Sequence, residues 1–339
     1  MYIVRADGNA RIGAGHLMRC LTIAEAMVRL SVDKKEIIFV CADEFSAELA
    51  RGYGFEAKVL GSDYQKPEEE LPRWEALLLT QAGNTILVDS YYVTEEYLKQ
   101  LRRFGRVFLM DDLQECSFPV DGVINYNAFA DKAVYQKLYQ QTKAKCYVGS
   151  SYVPIRPQFL QRTYQVKEKV RHIMITTGGG DQNNIAGAIL QCIYQENKEY
   201  HLVVGKYNPH KNTLEEWAAT HKGVHIYYDV KDMAGLMARC DLAITAGGTT
   251  IYELAAIGVP LICFSYAKNQ EALTEYIGSK NIAGYAGAYH SEQEATLEKL
   301  KCLVQEFNSS KEKRQCCHVK EKQLIDGLGA ERLAKVLMG

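Results

Sequence analysis

Short apolar runs separated by longer amphipathic stretches repeat along both halves of the chain. In the first half these runs are β-branched and aliphatic, and they lack the strict alternation of apolar and polar residues that marks a strand with one wet face. We therefore expect strands that are covered on both faces, as in a parallel sheet. The predicted strands of this half are 2–5, 37–41, 85–89, 106–110 and 122–125.

Helical periodicity fills the stretches between these runs. From Leu17 to Val28, apolar residues recur at spacings of three and four, which predicts an amphipathic helix over 16–30. A second helix is predicted over 95–104.

A proline-containing polar segment, 152–169, predicts a linker between two halves of similar pattern. Beyond it the predicted strands are 172–177, 201–205, 224–228, 241–245 and 260–264. The helices predicted between and after them are 184–195, 214–221, 231–239, 249–257 and 270–279. From about residue 289 the chain is charged and helical, with predicted helices 292–307, 311–326 and 330–338.

Both halves open with an apolar strand, a glycine-rich turn and a helix. This pattern predicts an α/β protein with two Rossmann-like domains facing a central cleft, because ligands of such sheets bind beyond the carboxyl ends of the strands. The expected divisions are an N-terminal domain over 1–150, a second domain over 151–290 and a helical extension over 291–339.

Composition narrows the class of partner. The 339 residues are 47% hydrophobic and 24% charged, with a formal net charge of -1, which gives no general attraction to nucleic acid or to an anionic membrane. The ten cysteines form no C-x-x-C pair and are expected to be free thiols of a reducing cytosol. The chain opens on MYIVRAD, which predicts a strand and not a signal peptide, and no apolar run reaches membrane-spanning length. A cytoplasmic protein with no membrane partner is the expectation.

The turn after the first predicted strand carries the first candidate for chemistry. Gly13 and Gly15 permit a tight passage from strand to helix, and His16 falls in the first helical turn. The positive end of a helix dipole favours the uncharged ring, which can act as a base. A capping or surface histidine is the alternative. Binding of NAD is disfavoured, because Met18 stands where a dinucleotide fingerprint has its third glycine.

Two glycine-rich turns of the second half are candidate anion sites. The run around Gly179 exposes backbone N–H groups after a strand, although an ordinary βα turn has the same composition. Gly247 and Gly248 again follow a strand, and Thr249 and Thr250 are good N-cap residues and phosphate donors.

Polar residues beyond this turn are candidate substrate ligands. Glu253 lies at i+4 from Thr249, where its carboxylate can accept both hydroxyls of a ribose, and this spacing fits poorly to a capping box. Asn269 and Gln270 follow the next strand and are expected either to face the ligand or to belong to a generic polar loop.

Carboxylates also end strands of the first half. Asp89, Asp111 and Asp112 are expected to position substrate or to cap strand ends, because a hard-cation site needs more carboxylates arranged together. No metal and no cofactor is predicted.

These residues together resemble a known family. The segment RADGNARIGAGHLMRC is similar to the R-x-D-x-x-x-x-I-G-x-G-H-x-x-R motif of the UDP-2,4-diacetamido-2,4,6-trideoxy-β-L-altropyranose hydrolases of pseudaminic acid biosynthesis. The segments TTGGGDQNN, TAGGTTIYELAAIGVP and YAKNQ follow in the family's order, so the resemblance covers roughly residues 1–285. Here AGGTT replaces the serines of some members.

The resemblance implies a glycosyltransferase-B-like fold and a metal-independent, inverting hydrolysis of a UDP-sugar. It implies that His16 activates the attacking water, that Asn269 binds substrate, and that Glu253 holds the ribose. The turn of Gly247, Gly248, Thr249 and Thr250 would hold the diphosphate. The remaining residues implied or expected to bind substrate are Arg5, Asp7, Gly13, Gly15, Gly179 and Gln270.

The stability of the leaving group explains why a single base would be enough for this reaction. UDP leaves as a stable anion, so no strong general acid is required, unlike in ordinary glycosidases. A UDP-sugar-dependent glycosyltransferase of the same fold, with an alcohol in place of water, is the competing interpretation. A non-catalytic sugar-nucleotide sensor is a third, and the retained His16 argues against it.

Overall fold

A computed structural model describes residues 1–9, 13–78, 83–178, 181–205 and 208–339. It divides into two compact units. Unit 1 comprises residues 1–154 and 327–339, and unit 2 comprises residues 155–326.

Unit 1 is a parallel sheet with helices between its strands. Over its described residues the sheet has seven strands in the order β3-β2-β1-β4-β5-β6-β7. The strands are β1 (Tyr2–Ala6), β2 (Ile37–Cys41), β3 (Glu56–Val59), β4 (Asn84–Asp89), β5 (Gly105–Met110), β6 (Gly122–Asn125) and β7 (Lys145–Val148). The helices are α1 (Gly15–Arg29), α2 (Glu44–Gly52), α3 (Leu71–Leu78), α4 (Glu95–Leu101) and α5 (Lys132–Leu138), with 3-10 turns at Lys34–Glu36, Pro67–Glu70 and Ser150–Tyr152.

Unit 2 repeats this plan. Its sheet has six described parallel strands in the order β10-β9-β8-β11-β12-β13. The strands are β8 (His172–Thr176), β9 (Glu199–Val204), β10 (Val224–Tyr228), β11 (Leu242–Ala246), β12 (Leu261–Ser265) and β13 (Gly284–Ala288). The helices are α6 (Pro157–Leu160), α7 (Ile185–Ile193), α8 (Lys211–Thr220), α9 (Met233–Arg239), α10 (Thr249–Ile257), α11 (Lys268–Ser279), α12 (Gln293–Ser309) and α13 (Lys311–Leu324).

The predicted α/β class with two Rossmann-like domains is confirmed. Central strands such as β4 and β11 are buried along their whole length, as expected for sheets covered on both faces. The strands that prediction missed, β3, β7 and β13, lie at sheet edges. Edge strands are half-exposed, and their sequences EAKV, KCYV and GYAGA lack a continuous apolar run.

The last helices do not form one separate layer. In unit 2, α12 packs on β13 and α7, and α13 packs on α10. The last helix, α14 (Gly329–Met338), belongs to unit 1, packs on α1 and has Leu333 and Leu337 buried. The predicted extension over 291–339 is thus shared by the two units, and the first division falls after Pro154 and not at residue 150.

The strand order fixes where each unit can bind a ligand. Successive strands are added toward one edge of the sheet and then toward the other, and this order reverses between β1 and β4 in unit 1 and between β8 and β11 in unit 2. Beyond the carboxyl ends of such strand pairs the connecting loops diverge and leave a crevice. Each predicted turn, at residues 13–16, 178–181 and 247–250, follows one of these four strands.

Candidate active site

His16 lies in the first turn of α1, at the switch point of unit 1. Gly13 adopts a left-handed φ of 75°, and its N–H donates to the carbonyl of Asn9 at 2.8 Å, so Gly13 lies beside Asn9 just before the helix. Among the described residues, no heavy atom lies within 4 Å of an ideal Cβ at Gly13 or Gly15. The His16 side chain is 12% exposed.

Asp89 holds the His16 ring. The end of β4 lies beside β1, with Asp89 in register with Ala6, so the carboxylate points at the start of α1. Nδ1 of His16 lies 2.6 Å from Oδ1 of Asp89. Burial would raise the pKa of Asp89, but the Arg19 guanidinium and the His16 ring outweigh burial and hold that pKa well below its usual range. An ionised carboxylate only accepts hydrogen bonds, so it favours a proton on Nδ1 and leaves Nε2 with its lone pair.

Arg19 connects this pair to the neighbouring strands. It follows His16 by three residues and therefore shares its helix face. Its Nε and Nη2 donate to the two oxygens of Asp89 at 2.5 and 2.6 Å. Its Nη1 and Nη2 donate to the two oxygens of Asp112, after β5, at 3.1 and 2.9 Å. Its Nη1 also donates to the hydroxyl of Tyr126, after β6, at 2.7 Å.

Tyr91 forms the outer wall of this arrangement. Its ring packs edge-on against His16 with centroids 4.6 Å apart, and its hydroxyl donates to Asp112 at 3.0 Å. The residue is 41% exposed, so it lies where a ligand can reach it. Sequence reasoning assigned no role to Arg19 or Tyr91, although Arg19 ends the quoted motif and Tyr91 follows a strand-end aspartate by two residues.

Arg5 and Asp7 lie inside unit 1. Arg5 donates to both oxygens of Glu70 at 2.8 and 2.5 Å and to Asp7 at 2.5 Å, and the other Asp7 oxygen accepts the N–H of Ala42 at 2.7 Å. Burial raises the pKa of Asp7, and Arg5 opposes that effect. Direct substrate contact stays a prediction for both residues, and this geometry favours a role in holding the end of β1.

The helix that follows the first glycine turn of unit 2 is capped by Asp181. Asp181 is buried and accepts the N–H groups of Ile185 and Ala186 at 2.8 Å each, so its carboxylate occupies the N-terminus of α7. Gly178 has a left-handed φ of 89°. Gly179 lies outside the described residues, so its predicted role stays a prediction.

The second glycine turn is open. Gly247 is buried, and a Cβ there would lie 2.7 Å from Thr274 and 2.8 Å from Gln270, so glycine lets α11 approach. Gly248 is exposed, and among the described residues no heavy atom lies within 4 Å of an ideal Cβ. Gly248 is the N-cap of α10 and has no side chain to accept the first N–H groups of the helix, which begin beside the exposed Thr249 and the half-buried Thr250.

Helix α11 starts beside this turn, because β11 and β12 are adjacent strands. Asn269 is exposed in its first turn. Gln270 is partly buried, and its Oε1 accepts the N–H of Tyr266 at 3.0 Å, so it orders the loop that presents Asn269.

Glu253 lies one turn into α10 and is paired with Arg156. Arg156 Nη2 donates to Glu253 Oε1 at 2.7 Å, with side chains 26% and 16% exposed. Burial raises the pKa of Glu253, and Arg156 opposes that effect. The guanidinium lies over the Phe159 ring at 4.8 Å, which fixes it. Sequence reasoning missed Arg156, because it lies 97 residues from its partner in a segment predicted as a linker.

The strand-end carboxylates Asp89, Asp111 and Asp112 accept hydrogen bonds from protein side chains, namely Arg19, His16, Tyr135, Tyr91 and Asn127. Among the described residues, no group of three or more His, Cys, Asp or Glu side chains has the arrangement of a metal site. Across the described helices, none combines the length and the apolar character needed to span a bilayer.

The fold and site define a class of protein with two Rossmann-like units of glycosyltransferase-B type. A solved glycotransferase of kitacinnamycin matches 99% of this chain and 98% of its own, with a TM-score of 0.70 and 15% identity. Residues 172–331 match the model of the glycosyltransferase family 28 C-terminal domain.

Two curated relatives are more specific. The spore coat polysaccharide biosynthesis protein SpsG of Bacillus subtilis is 24% identical over 98% of this chain and 96% of its own. The UDP-2,4-diacetamido-2,4,6-trideoxy-beta-L-altropyranose hydrolase of Campylobacter jejuni is 23% identical over 85% of this chain and 98% of its own. The resemblance that the opening motif indicates is confirmed by this second relative.

Proposed function

We propose that the chain hydrolyses UDP-2,4-diacetamido-2,4,6-trideoxy-β-L-altropyranose to UDP and the free sugar, with inversion at the anomeric carbon. The coarser part of this proposal, an enzyme of nucleotide-sugar processing, is supported by the fold and by the Campylobacter jejuni relative. The observation that carries hydrolysis is the contact between His16 Nδ1 and Asp89 Oδ1, at 2.6 Å. This contact favours a ring whose Nε2 can accept a proton.

In the proposed step, Nε2 of His16 takes one proton from water while the water oxygen forms a bond to C1 of the sugar. The bond between C1 and the diphosphate oxygen breaks, and its electron pair leaves with UDP. The imidazolium that forms is stabilised by the ionised Asp89, as in other histidine–aspartate pairs. Such a base typically contributes about 10²- to 10⁴-fold to the rate.

Residues of unit 2 are proposed to bind the UDP portion. The open N-terminus of α10, with Gly248, Thr249 and Thr250, supplies N–H and hydroxyl donors for the diphosphate. The paired Glu253 accepts from the ribose hydroxyls, and Asn269 contacts the substrate. The α7 turn is a weaker candidate, because Asp181 already fills it and would repel a phosphate.

Incubation with the proposed UDP-sugar in H₂¹⁸O tests the reaction. Hydrolysis by attack at C1 places ¹⁸O on the sugar, and early NMR spectra show the inverted anomer. Equal rates with and without EDTA are expected of a metal-independent reaction. Label in UDP, or absence of UDP release from this and related UDP-diacetamido sugars, would refute the proposal.

A glycosyltransferase is the second candidate, and the match to a glycosyltransferase C-terminal domain favours it specifically. The same histidine could deprotonate an alcohol. Addition of candidate acceptors separates the two functions, since a transferase forms a glycoside at the expense of free sugar.

A further inference from the structure

Arg19 is surrounded by more acceptors than it has hydrogens. Its Nη2 carries two hydrogens and lies near three acceptors, namely Asp89 Oδ1 at 2.6 Å, Asp112 Oδ2 at 2.9 Å and His16 Nδ1 at 3.1 Å. The His16 ring therefore competes with two carboxylates for the same pair of hydrogens.

The five N–H groups of Arg19 can all be assigned to oxygen. Nε donates to Asp89, Nη1 donates to Tyr126 and Asp112, and Nη2 donates to Asp89 and Asp112. This assignment leaves no Arg19 hydrogen for His16 Nδ1. The short contact between Nδ1 and Asp89 then requires that Nδ1 itself carries the proton.

From this geometry we propose that Asp112 is a positioning residue that selects the Nδ1-protonated tautomer of His16 by accepting Arg19 hydrogens that would otherwise reach Nδ1. The assignment rests on the proposed function, because it concerns the base that hydrolysis requires. No hydrogen bond joins Asp112 to the ring. Asp112 is connected to His16 through Arg19, and also through Tyr91, whose ring packs against His16.

The surroundings of Asp112 suit this role. Besides Arg19, it accepts from the hydroxyl of Tyr91 at 3.0 Å and from Nδ2 of Asn127 at 2.9 Å. Burial would raise the pKa of Asp112, but Arg19 outweighs it and the pKa is lowered. An ionised carboxylate held by these donors cannot give a proton back, so it serves as a permanent acceptor.

Replacing Asp112 with asparagine should direct an Arg19 hydrogen to His16 Nδ1 and away from position 112. The amide has one acceptor oxygen and adds an NH₂ donor, so at least one Arg19 hydrogen loses its partner. The nearest remaining acceptor is His16 Nδ1, at 3.1 Å from Nη2. A hydrogen bond from Nη2 to Nδ1 replaces the contact between Nδ1 and Asp89, and it moves the ring proton to Nε2, where that proton blocks proton transfer from water.

Nitrogen NMR of protein labelled with ¹⁵N-histidine reads the tautomer directly, with His16→Gln used to assign the signal. At a pH where the ring is neutral, the wild-type protein should show Nδ1–H and the Asp112→Asn protein mainly Nε2–H. The kcat of Asp112→Asn should fall about 10- to 10³-fold, within the usual contribution of a general base, with KM nearly unchanged.

Asp111→Asn is the matched control, because it removes the same charge one residue away. The Asp111 carboxylate accepts from the Tyr135 hydroxyl at 2.6 Å and from the Leu113 N–H at 3.0 Å, and not from Arg19. This variant should keep the Nδ1–H signal. Asp112→Glu, which retains a carboxylate, should keep it as well.

A wild-type spectrum with Nε2–H overturns the proposal without any variant. Retention of Nδ1–H in Asp112→Asn overturns it even if kcat falls. If Asp112→Asn does not fold, Asp112→Glu is compared with the wild-type protein in its place. An Nε2–H signal in Asp112→Glu would also overturn the proposal. These spectra need no substrate, so a protein that hydrolyses no UDP-sugar but shows the expected tautomers refutes only the proposed function.

Discussion

Asp181 accepts the backbone N–H of Ile185 at 2.8 Å and thereby closes the helix that follows the first glycine turn of unit 2. The helix after the second turn, α10, has Gly248 at its N-cap, and glycine has no side chain that could accept the first N–H groups of the helix. The start of α7 is thus occupied by a carboxylate, whereas the N-cap of α10 supplies none, and anion binding requires N–H groups that are not already taken.

Gly248→Ala should weaken UDP binding without unfolding the protein. The backbone of Gly248 is extended, and an added Cβ meets no heavy atom of the described part of the chain within 4 Å, so we expect the fold to accept alanine. The methyl group would stand where the diphosphate is proposed to lie, and we expect the Kd for UDP to rise about tenfold, or roughly 1.4 kcal/mol. Calorimetric titration with UDP measures this change.

Gly52→Ala, on α2 of unit 1, is the control, because a Cβ at Gly52 also meets no heavy atom of the described residues within 4 Å. An unchanged Kd in Gly248→Ala would place the diphosphate elsewhere.

Glu253 should discriminate UDP from 2′-deoxy-UDP. Burial raises the pKa of the Glu253 carboxyl, and the Arg156 guanidinium opposes this increase. A hydrogen bond from a ribose hydroxyl to a carboxylate is worth about 1.5–3 kcal/mol. We therefore expect the wild-type protein to bind UDP at least about tenfold more tightly, and Glu253→Gln to narrow that ratio. Glu253→Gln can still accept from Arg156, which limits damage to the fold. Equal affinity of the wild-type protein for the two nucleotides would remove the ribose role.

His16→Gln should separate turnover from binding. Loss of the base should lower kcat about 10²- to 10⁴-fold. The Kd for UDP should stay the same, because the proposed UDP contacts all lie in unit 2. His225→Gln is the control, since His225 pairs with the exposed Glu199 on unit 2. A parallel loss of UDP affinity in His16→Gln would make His16 a binding residue.

Glu321 should make unit 2 less stable as pH rises. Its carboxyl is buried beside β12, where Oε1 accepts the Leu261 N–H at 3.2 Å and Oε2 has no hydrogen-bond partner within the described part of the chain. Burial raises the pKa of Glu321 well above its usual value, whereas the unfolded chain ionises near 4.3. The stability that this carboxyl contributes is fully present at pH values below its pKa in the unfolded chain. It is lost as the pH rises toward the pKa of the carboxyl in the folded protein.

Glu321→Gln should remove the loss of stability that the wild-type protein shows as pH rises. Its free energy of unfolding relative to wild type should rise by about 1.4 kcal/mol per pH unit above roughly pH 5, until the folded carboxyl ionises. Urea unfolding from pH 5 to pH 8 measures the slope. Glu306→Gln, at an exposed position on α12, should show no such slope. A pH-independent difference for Glu321→Gln would mean that the carboxyl is ionised in the folded protein.

Some elements were readable from the sequence and others were not. The range 249–257 was predicted to the residue, because a strand, two glycines, two threonines and an apolar helix follow one another without interruption. The strand β7 was missed, because at the sheet edge it is only partly covered and needs no apolar run. The exposed Tyr91 was missed, because its neighbours in the site come from other parts of the chain.

The sequence by itself determined the central strands with the helices that alternate with them, the glycine turns and the position of His16 at a helix start. These features depend on residues within a few positions of one another, and periodicity records them. Only the tertiary structure decided which carboxylate holds His16, since Asp89 lies 73 residues away and Asp112 lies 93 residues from Arg19. Those pairings follow from the placement of β4 beside β1 and of β5 beside β4 in one sheet, and no local pattern encodes which strands become neighbours.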